Sequence, residues 1–381
     1  MDFQLDAEQQ AMQKMAQEFV KKEIVPVAAE YDERDEMPVE LMRKMIKQGF
    51  SSITIPEEYG GGGMDDLTVC LVTEEIGRGC GGIGSAIGAN SLACHPIMLA
   101  GNEEQKQKYL SMVCDGAFAA FCLTEPDAGS DVGNISTKAI KDGDEYVING
   151  CKCFITNGGC ADIYVVMAVT DPEVGARSLT PFIVEKGTPG LSSGKKEKKM
   201  GIRASNTTEV IFEDVRIPAA NRLGEEGTGF KTAMRTFDLS RPMIGSLAVG
   251  IARGAYEIAA DYAKQRIQFG KPIIKQQAVS FMLADMVMKI EAARLLVWKA
   301  AYLAEHSKER ISGYSAMAKA FATDTAMEVT TNAVQVMGGY GYTREYPVEK
   351  AMRDAKITQI YEGTNQIQRL IISEAIIRGD L

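Results

Sequence analysis

The order of local patterns along the chain predicts an α+β multidomain fold, with an N-terminal α-helical domain, a middle antiparallel β domain and a C-terminal four-helix bundle. Three observations carry this reading. Helical periodicity runs from about residue 7 to 112, with Met12, Met15, Phe19 and Val20 and then Leu41, Met42 and Met45 at helix spacing, broken at Gly60-Gly61-Gly62-Gly63. Short β-rich runs then occupy Ala117 to about Arg216. Beyond Gly227 helical spacing returns and persists. Strands and helices are segregated rather than alternating, which argues against a parallel doubly wound sheet. The expected domains are 1–116, 117–226 and 227–381, and a chain of 381 residues exceeds the size at which one core stops growing.

Within the middle region, Tyr146-Val147-Ile148, Ile163 to Met167, Phe182-Ile183-Val184 and Glu209 to Phe212 read as strands. Asp142-Gly143-Asp144, Asn149-Gly150 and Thr188-Pro189-Gly190 read as the turns that separate them. In the last region, alanine- and methionine-rich segments around 228–267, 275–306, 312–338 and 345–378 are the four helices of a bundle.

Composition narrows the function. A formal net charge of −9 argues against a nucleic-acid partner, which needs a basic footprint. The one basic run, Gly194-Lys195-Lys196-Glu197-Lys198-Lys199, reads as a solvated loop or strand edge, with contact to a CoA phosphate or a partner protein as the other reading. No stretch reaches the roughly 18 uninterrupted apolar residues of a membrane span, and Met1 to Asp6 carry neither an export nor a transit pattern, so the expected location is cytoplasmic. Eight cysteines without a CxxC pair are expected to be free, mostly buried thiols. His95 and His306 are far apart, which argues against a metal centre and against histidine acid–base chemistry.

The chemistry concentrates elsewhere. In Gln359-Ile360-Tyr361-Glu362-Gly363-Thr364-Asn365-Gln366, one carboxylate stands between apolar neighbours and a glycine. Such surroundings disfavour the charged form and raise basicity, which suits a base for a carbon-bound proton. Gly363 lets the backbone approach a ligand, so the Glu362 amide can aim at a carbonyl oxygen and stabilise an enolate. The plainer reading is an exposed acid at a helix start. Thr124 to Asp131, at the exit of an apolar run, and Phe154-Ile155-Thr156-Asn157-Gly158-Gly159 are hydroxyl-rich patches able to flank a planar cofactor, or simple turns. Arg266 to Lys271 lies at a helix break and suits a pyrophosphate, or merely a helix dipole. Gly338-Gly339-Tyr340-Gly341-Tyr342 is a helix stop or a close ligand approach. Gly82 to Gly88 has the wrong spacing for a dinucleotide loop and lacks a preceding strand.

Taken together, the runs LTEPDAGSD at 123–131, FITNGG at 154–159, RIQFGKPI at 266–273, QVMGGYGYTREYPVEKAMRDAKI at 335–357 and QIYEGTNQIQRLI at 359–371 resemble the acyl-CoA dehydrogenase family of flavoproteins over essentially the whole chain. The nearest subgroup looks like the short- and medium-chain enzymes. The resemblance implies the family's three-domain fold, non-covalent FAD and a homotetramer. It also implies that Glu362 takes the α-proton, with its own amide and an FAD ribityl hydroxyl holding the thioester oxygen. Thr124 and Thr156 would hydrogen-bond the isoalloxazine, Phe154 would pack on it, Ser130 would reach the pyrophosphate, and Phe121, Leu123 and Gly129 would join the same cofactor site. From a neighbouring subunit, Arg266, Gln268, Phe269, Gln277, Gln335 and Gly339 would hold the nucleotide part, with Thr364 and Gln366 completing it. Ser130, Asp238, Arg241, Tyr361, Glu362 and Gly363 would meet the acyl-CoA. Phe154 stands where the family often has Trp. Ser240 stands where some relatives place the base, which supports Glu362 in that role.

The activity so implied is α,β-dehydrogenation of an acyl-CoA thioester to the 2-enoyl-CoA, with electrons passed to an electron-transferring flavoprotein. Alicyclic, branched and glutaryl thioesters stay open as substrates, although Ile83 near the position of a carboxylate-binding arginine disfavours the last. Use of oxygen as acceptor, or a catalytically silent acyl-CoA binder, are the other readings.

Overall fold

A computed structural model describes residues 4–381. The N-terminal region is helical: α1 (Ala7–Phe19), a π-helical turn at Val20–Ile24, α2 (Val25–Arg34), α3 (Val39–Lys47), α4 (Asp66–Gly79), α5 (Gly81–Ala100) and α6 (Glu103–Cys114). Capping boxes start α1 and α6, where Asp6 pairs with Gln9 and Asn102 with Gln105. By length and composition α5 is apolar enough to cross a membrane, but most of it is buried in the protein. Its Ile83, Ala86 and Ile87 pack on the N-terminal helices, while Ala93, Cys94 and Ile97 pack on the sheet. The Gly82–Gly88 stretch is therefore helical, with no strand before it among the described residues.

The sheet comprises β1 (Ala119–Cys122), β2 (Lys138–Asp142), β3 (Glu145–Thr156), β4 (Ile163–Val169), β5 (Leu179–Glu185), β6 (Leu191–Lys196) and β7 (Thr207–Pro218). Four pairings, β2–β3, β3–β7, β6–β7 and β4–β5, are antiparallel as expected. The expectation of a wholly antiparallel sheet needs correction. β1 runs parallel to β4 from Ala119↔Ile163 to Cys122↔Val166, and Lys138 bridges Val169 in parallel. The connection between β1 and β4 contains the whole β2–β3 hairpin, and a return of that length permits parallel pairing where a tight turn would not. Asn149-Gly150 is also not a turn. It lies inside β3 at a register shift against β7, and a Cβ on Gly150 would come within 2.5 Å of the Thr137 hydroxyl. Asp142-Gly143-Asp144 does turn the hairpin, with Gly143 at φ 62°. The basic run supplies the end of edge strand β6.

The C-terminal bundle holds α7 (Gly229–Gln265), a small hairpin β8 (Ile267–Gln268) and β9 (Lys271–Pro272), α8 (Gln277–His306) and α9 (Ser312–Met337). The segment expected as one fourth helix is two, α10 (Val348–Thr358) and α11 (Asn365–Arg378). Helices α4 and α7 cross at backbone distance, since a Cβ on Gly250 would lie 2.1 Å from the Glu74 carbonyl oxygen. All eight cysteines are free thiols, five buried and three half-buried.

Candidate active site

The break between α10 and α11 positions the key carboxylate. Backbone hydrogen bonding continues to Tyr361, whose N–H donates to the Ile357 carbonyl, and then fails. Glu362 and Gly363 take left-handed φ values of 52° and 90°. Thr364 restarts the helix as an N-cap, its hydroxyl accepting from the Ile367 amide. A non-glycine residue in the left-handed region costs roughly 1–2 kcal/mol and needs support from its surroundings. That support is present: the Gln368 side-chain amide donates to the Glu362 carbonyl at 3.2 Å and to the Gly363 carbonyl at 2.9 Å. Lys319 Nζ also donates to the Gly363 carbonyl, at 2.8 Å. The Glu362 N–H has no protein acceptor among the described residues.

Helix α7 supplies the opposing wall, and its proline explains how. Pro242 has no N–H to donate to the Asp238 carbonyl one turn back, and Ser315 Oγ donates to that carbonyl instead at 2.7 Å. This clips α7 to α9 beside the site. Ser240 Oγ donates to Glu362 Oε2. Arg241 is buried, sits 5.6 Å from the Phe237 ring centroid, donates to Asp238 Oδ1 at 3.3 Å and leaves its Nε unpartnered. Asp238 itself accepts from Ser312 Oγ at 2.6 Å. Burial raises the affinity of Glu362 for a proton, and the Ser240 hydroxyl, Arg241 and Lys319 only partly oppose it. The residue keeps some exposed surface because its side chain faces a cavity, although protein encloses it on the other sides.

That cavity, about 630 Å³, brings Glu362, Gly363, Tyr361 and Arg241 together with Phe121, Leu123, Thr124, Gly129, Ser130, Phe154 and Thr156. Two strand ends present the second group. Thr124 follows β1, and its carbonyl accepts from the Cys153 amide at 2.9 Å, which joins the two patches. Phe154 has φ 57° and is 65% exposed, so its ring is turned out of the sheet toward the opening. Beneath them, buried Asn157 donates to Asn90 Oδ1 and to the Ala86 carbonyl, both at 3.0 Å, and Asn90 Oδ1 accepts from the Ala119 amide at 3.0 Å. A buried Lys152–Glu125 pair at 2.7 Å completes the platform, with Lys152 also donating to the Leu123 carbonyl.

The remaining expected residues lie elsewhere. Asp238 stands behind Arg241 and outside the cavity lining. Thr364 and Gln366 are also outside it. Arg266, Gln268, Phe269, Gln277, Gln335 and Gly339 are exposed at the end of the bundle where α7 stops, α8 starts and α9 stops, and the Arg266 guanidinium lies 5.5 Å from the Tyr340 ring centroid. Ile360 is exposed and does not surround Glu362, contrary to expectation. The apolar surround comes instead from Phe237, Ile244, Tyr361 and Ile367. Lys152, Lys319, Asn90 and Gln368 were not singled out in the sequence.

Comparison with known proteins identifies the family. Residues 6–117, 120–215 and 227–377 match the N-terminal, middle and C-terminal domains of acyl-CoA dehydrogenase. The chain belongs to the acyl-CoA dehydrogenase family. It is an oxidoreductase acting on acyl-CoA, with the family's helical, β and helical regions. It is 50% identical over 375 residues to an acyl-CoA dehydrogenase of Bacillus subtilis, covering 98% of each chain. It is 48% identical over 380 residues to a short-chain specific acyl-CoA dehydrogenase of Clostridium acetobutylicum, covering 99% of this chain and 100% of the other. Among solved structures, butyryl-CoA dehydrogenase from Megasphaera elsdenii superposes with a TM-score of 0.97 at 48% identity, covering 99% and 100%. A chain in a structure described as the electron transferring flavoprotein of Acidaminococcus fermentans matches with a TM-score of 0.97 at 50% identity, covering 99% and 100%.

Proposed function

We propose that the chain is an FAD-dependent short-chain acyl-CoA dehydrogenase in which Glu362 removes the α-proton of the thioester and 2-enoyl-CoA is the product. The observation that carries this is the carboxylate of Glu362, raised in basicity by burial, facing across one cavity the strand-end patches around Thr124 and Thr156. The residues present fit an FAD. The Thr124, Ser130 and Thr156 hydroxyls have no protein partner among the described residues and face the cavity, the exposed Phe154 ring offers a stacking surface, and a Cβ on Gly129 would meet nothing within 4 Å. When bound, FAD supplies the acceptor for the hydride that leaves the β-carbon.

The chain's own residues handle the proton and the charge. A thioester α-proton is a very weak acid, so its removal needs a base in a water-poor site and donors aimed at the developing enolate oxygen. Glu362 serves as the base, and its unpaired N–H is the donor for the thioester oxygen. Ser240 holds one carboxylate oxygen and leaves the other to the substrate. Leu92, Met234, Phe237 and Ile244 give the acyl end an apolar lining. The short-chain and butyryl-CoA relatives support a short acyl group, and the structure described as an electron transferring flavoprotein supports such a protein as acceptor. The exposed cluster around Arg266 is suited to serve the FAD of a second copy, as in a homotetramer.

The test is anaerobic bleaching of the flavin band by a panel of straight-chain, branched, alicyclic and glutaryl CoA thioesters. Wild-type protein is expected to bleach with a short straight-chain thioester. Glu362→Gln is expected to retain FAD and to bleach at least about 10²–10⁴-fold more slowly. Substantial bleaching by the variant would remove Glu362 from the role of base.

A further inference from the structure

A buried cation, Lys319, stands behind the Glu362–Gly363 turn. Lys319 lies about two turns into α9, is fully buried and belongs to no ion pair among the described residues. Its ammonium donates to the Gly363 carbonyl at 2.8 Å and to Asn365 Oδ1 at 3.0 Å, so it ties the end of the α10–α11 break to the first residue of α11. Asn365 is fixed in turn by donating to Thr323 Oγ1 at 2.8 Å and to Asp324 Oδ1 at 2.7 Å. A buried ammonium without its own carboxylate is costly, and an apolar residue of similar length would pack there at less expense in desolvation.

The charges around it identify what it serves. From α7, Arg241 faces the same region but is already bound to Asp238. From α9 itself, Asp324 is engaged by Arg369 of α11 as well as by Gln359 and Asn365. Glu362, from the break, has only the Ser240 hydroxyl and no ion pair. We propose that Lys319 is the positioning residue of the base, holding the Glu362–Gly363 turn in its left-handed form and, together with Arg241, supplying the countercharge that keeps the carboxylate ready to accept a proton. The proposal rests on the assignment of Glu362 as base. Burial draws the Lys319 ammonium down to about 7, Glu362 and Asp324 oppose that fall and Arg241 adds to it. Each charge thus bears on the other's affinity for a proton.

The experiment follows the protonated carboxyl of Glu362 by infrared difference spectroscopy of the FAD-loaded protein against pH, the band being assigned by its loss in Glu362→Gln. Lys319→Met removes charge and hydrogen bond, Lys319→Gln removes charge and keeps a donor, and Lys319→Arg keeps both. In the first two the Glu362 midpoint is expected to rise by roughly 1 unit, and the acid limb of the flavin-bleaching rate to move with it, while Lys319→Arg stays near wild type. An unmoved midpoint in the Met and Gln variants overturns the proposal. Because coupling is reciprocal, Glu362→Gln must lower the protonation midpoint of Lys319 by a similar amount, read from the ε-carbon resonance of ¹³C-lysine-labelled protein. No change there overturns the proposal even if every Lys319 variant fails to fold. Wild-type protein that no thioester bleaches would instead sink the assignment of the base, and the infrared titration would still report the coupling.

Discussion

The buried Lys152–Glu125 pair offers a prediction whose size follows from its geometry. Glu125 accepts from Lys152 Nζ at 2.7 Å, the Ser136 amide at 2.7 Å, the Ser136 hydroxyl at 2.8 Å and the Thr137 amide at 3.0 Å. Burial pushes the carboxyl up, but Lys152, followed by Thr137 and Ser136, more than reverses this and holds it at about 2. A folded value below the unfolded one means stability that is present above 4.5 and lost as pH falls through about 2. Lys152 is drawn down by its own burial, with Glu125 opposing, so the net worth of the pair is smaller than the carboxyl's shift alone would give. Lys152→Met leaves the carboxylate buried without its cation and should cost about 3–5 kcal/mol, the range for breaking a buried pair. Guanidinium unfolding of the FAD-loaded protein, followed by flavin release, measures the loss, because the pair underlies the loop that carries Thr124. Lys152→Met/Glu125→Gln should recover more than half of it, and the single variant's deficit should shrink as pH is lowered toward 4.5, where its unpaired carboxyl takes up a proton. A single variant as stable as wild type at neutral pH, or a double variant with the summed cost of both changes, would refute the argument.

Two further perturbations test the packing of the helices. Gly250→Ala should lower stability by roughly 1–3 kcal/mol or more, measured by thermal or denaturant unfolding, because the new methyl would press on the Glu74 carbonyl where α4 meets α7 and a backbone atom cannot rotate away. Asp66 in the first turn of α4 has its carboxyl raised from 3.8 to about 7, by burial first and then by Glu305 and Asp65, with Arg235 opposing. Its folded value exceeds its unfolded one, so its contribution is complete below 3.8 and is lost as pH rises through about 7. The thermal midpoint of Asp66→Asn should therefore gain on wild type across that window and hold its gain above it. A difference that does not vary with pH would show that the carboxyl is not desolvated.

Where physics is local, the sequence was readable. Segregated helical and β textures suffice for the three regions, and Asp142-Gly143-Asp144 turns a hairpin because its flanking strands are adjacent in the chain. Asn149-Gly150 carries the same turn chemistry, yet pairing with β7, some sixty residues later, makes it a bulge instead. The α10–α11 break had one local trace, Gly363 before the N-cap Thr364, while helical spacing on either side concealed it. The candidate site residues share this visibility: Glu362 beside glycine and Thr124 at a strand exit are conspicuous because they stand at irregular backbone. Lys152 and Lys319 are hidden for the opposite reason. Each sits within a regular element, where a lysine reads as a solvent-facing position, and the groups that make its burial tolerable lie 27 residues away in Glu125 or 44 away in Gly363. Desolvation of a buried charge is offset only by such distant partners, which no local pattern records. The candidate site residues are thus conspicuous in the chain, whereas the buried charges behind Glu362 and beneath the Thr124 loop emerge only when the fold brings the segments together.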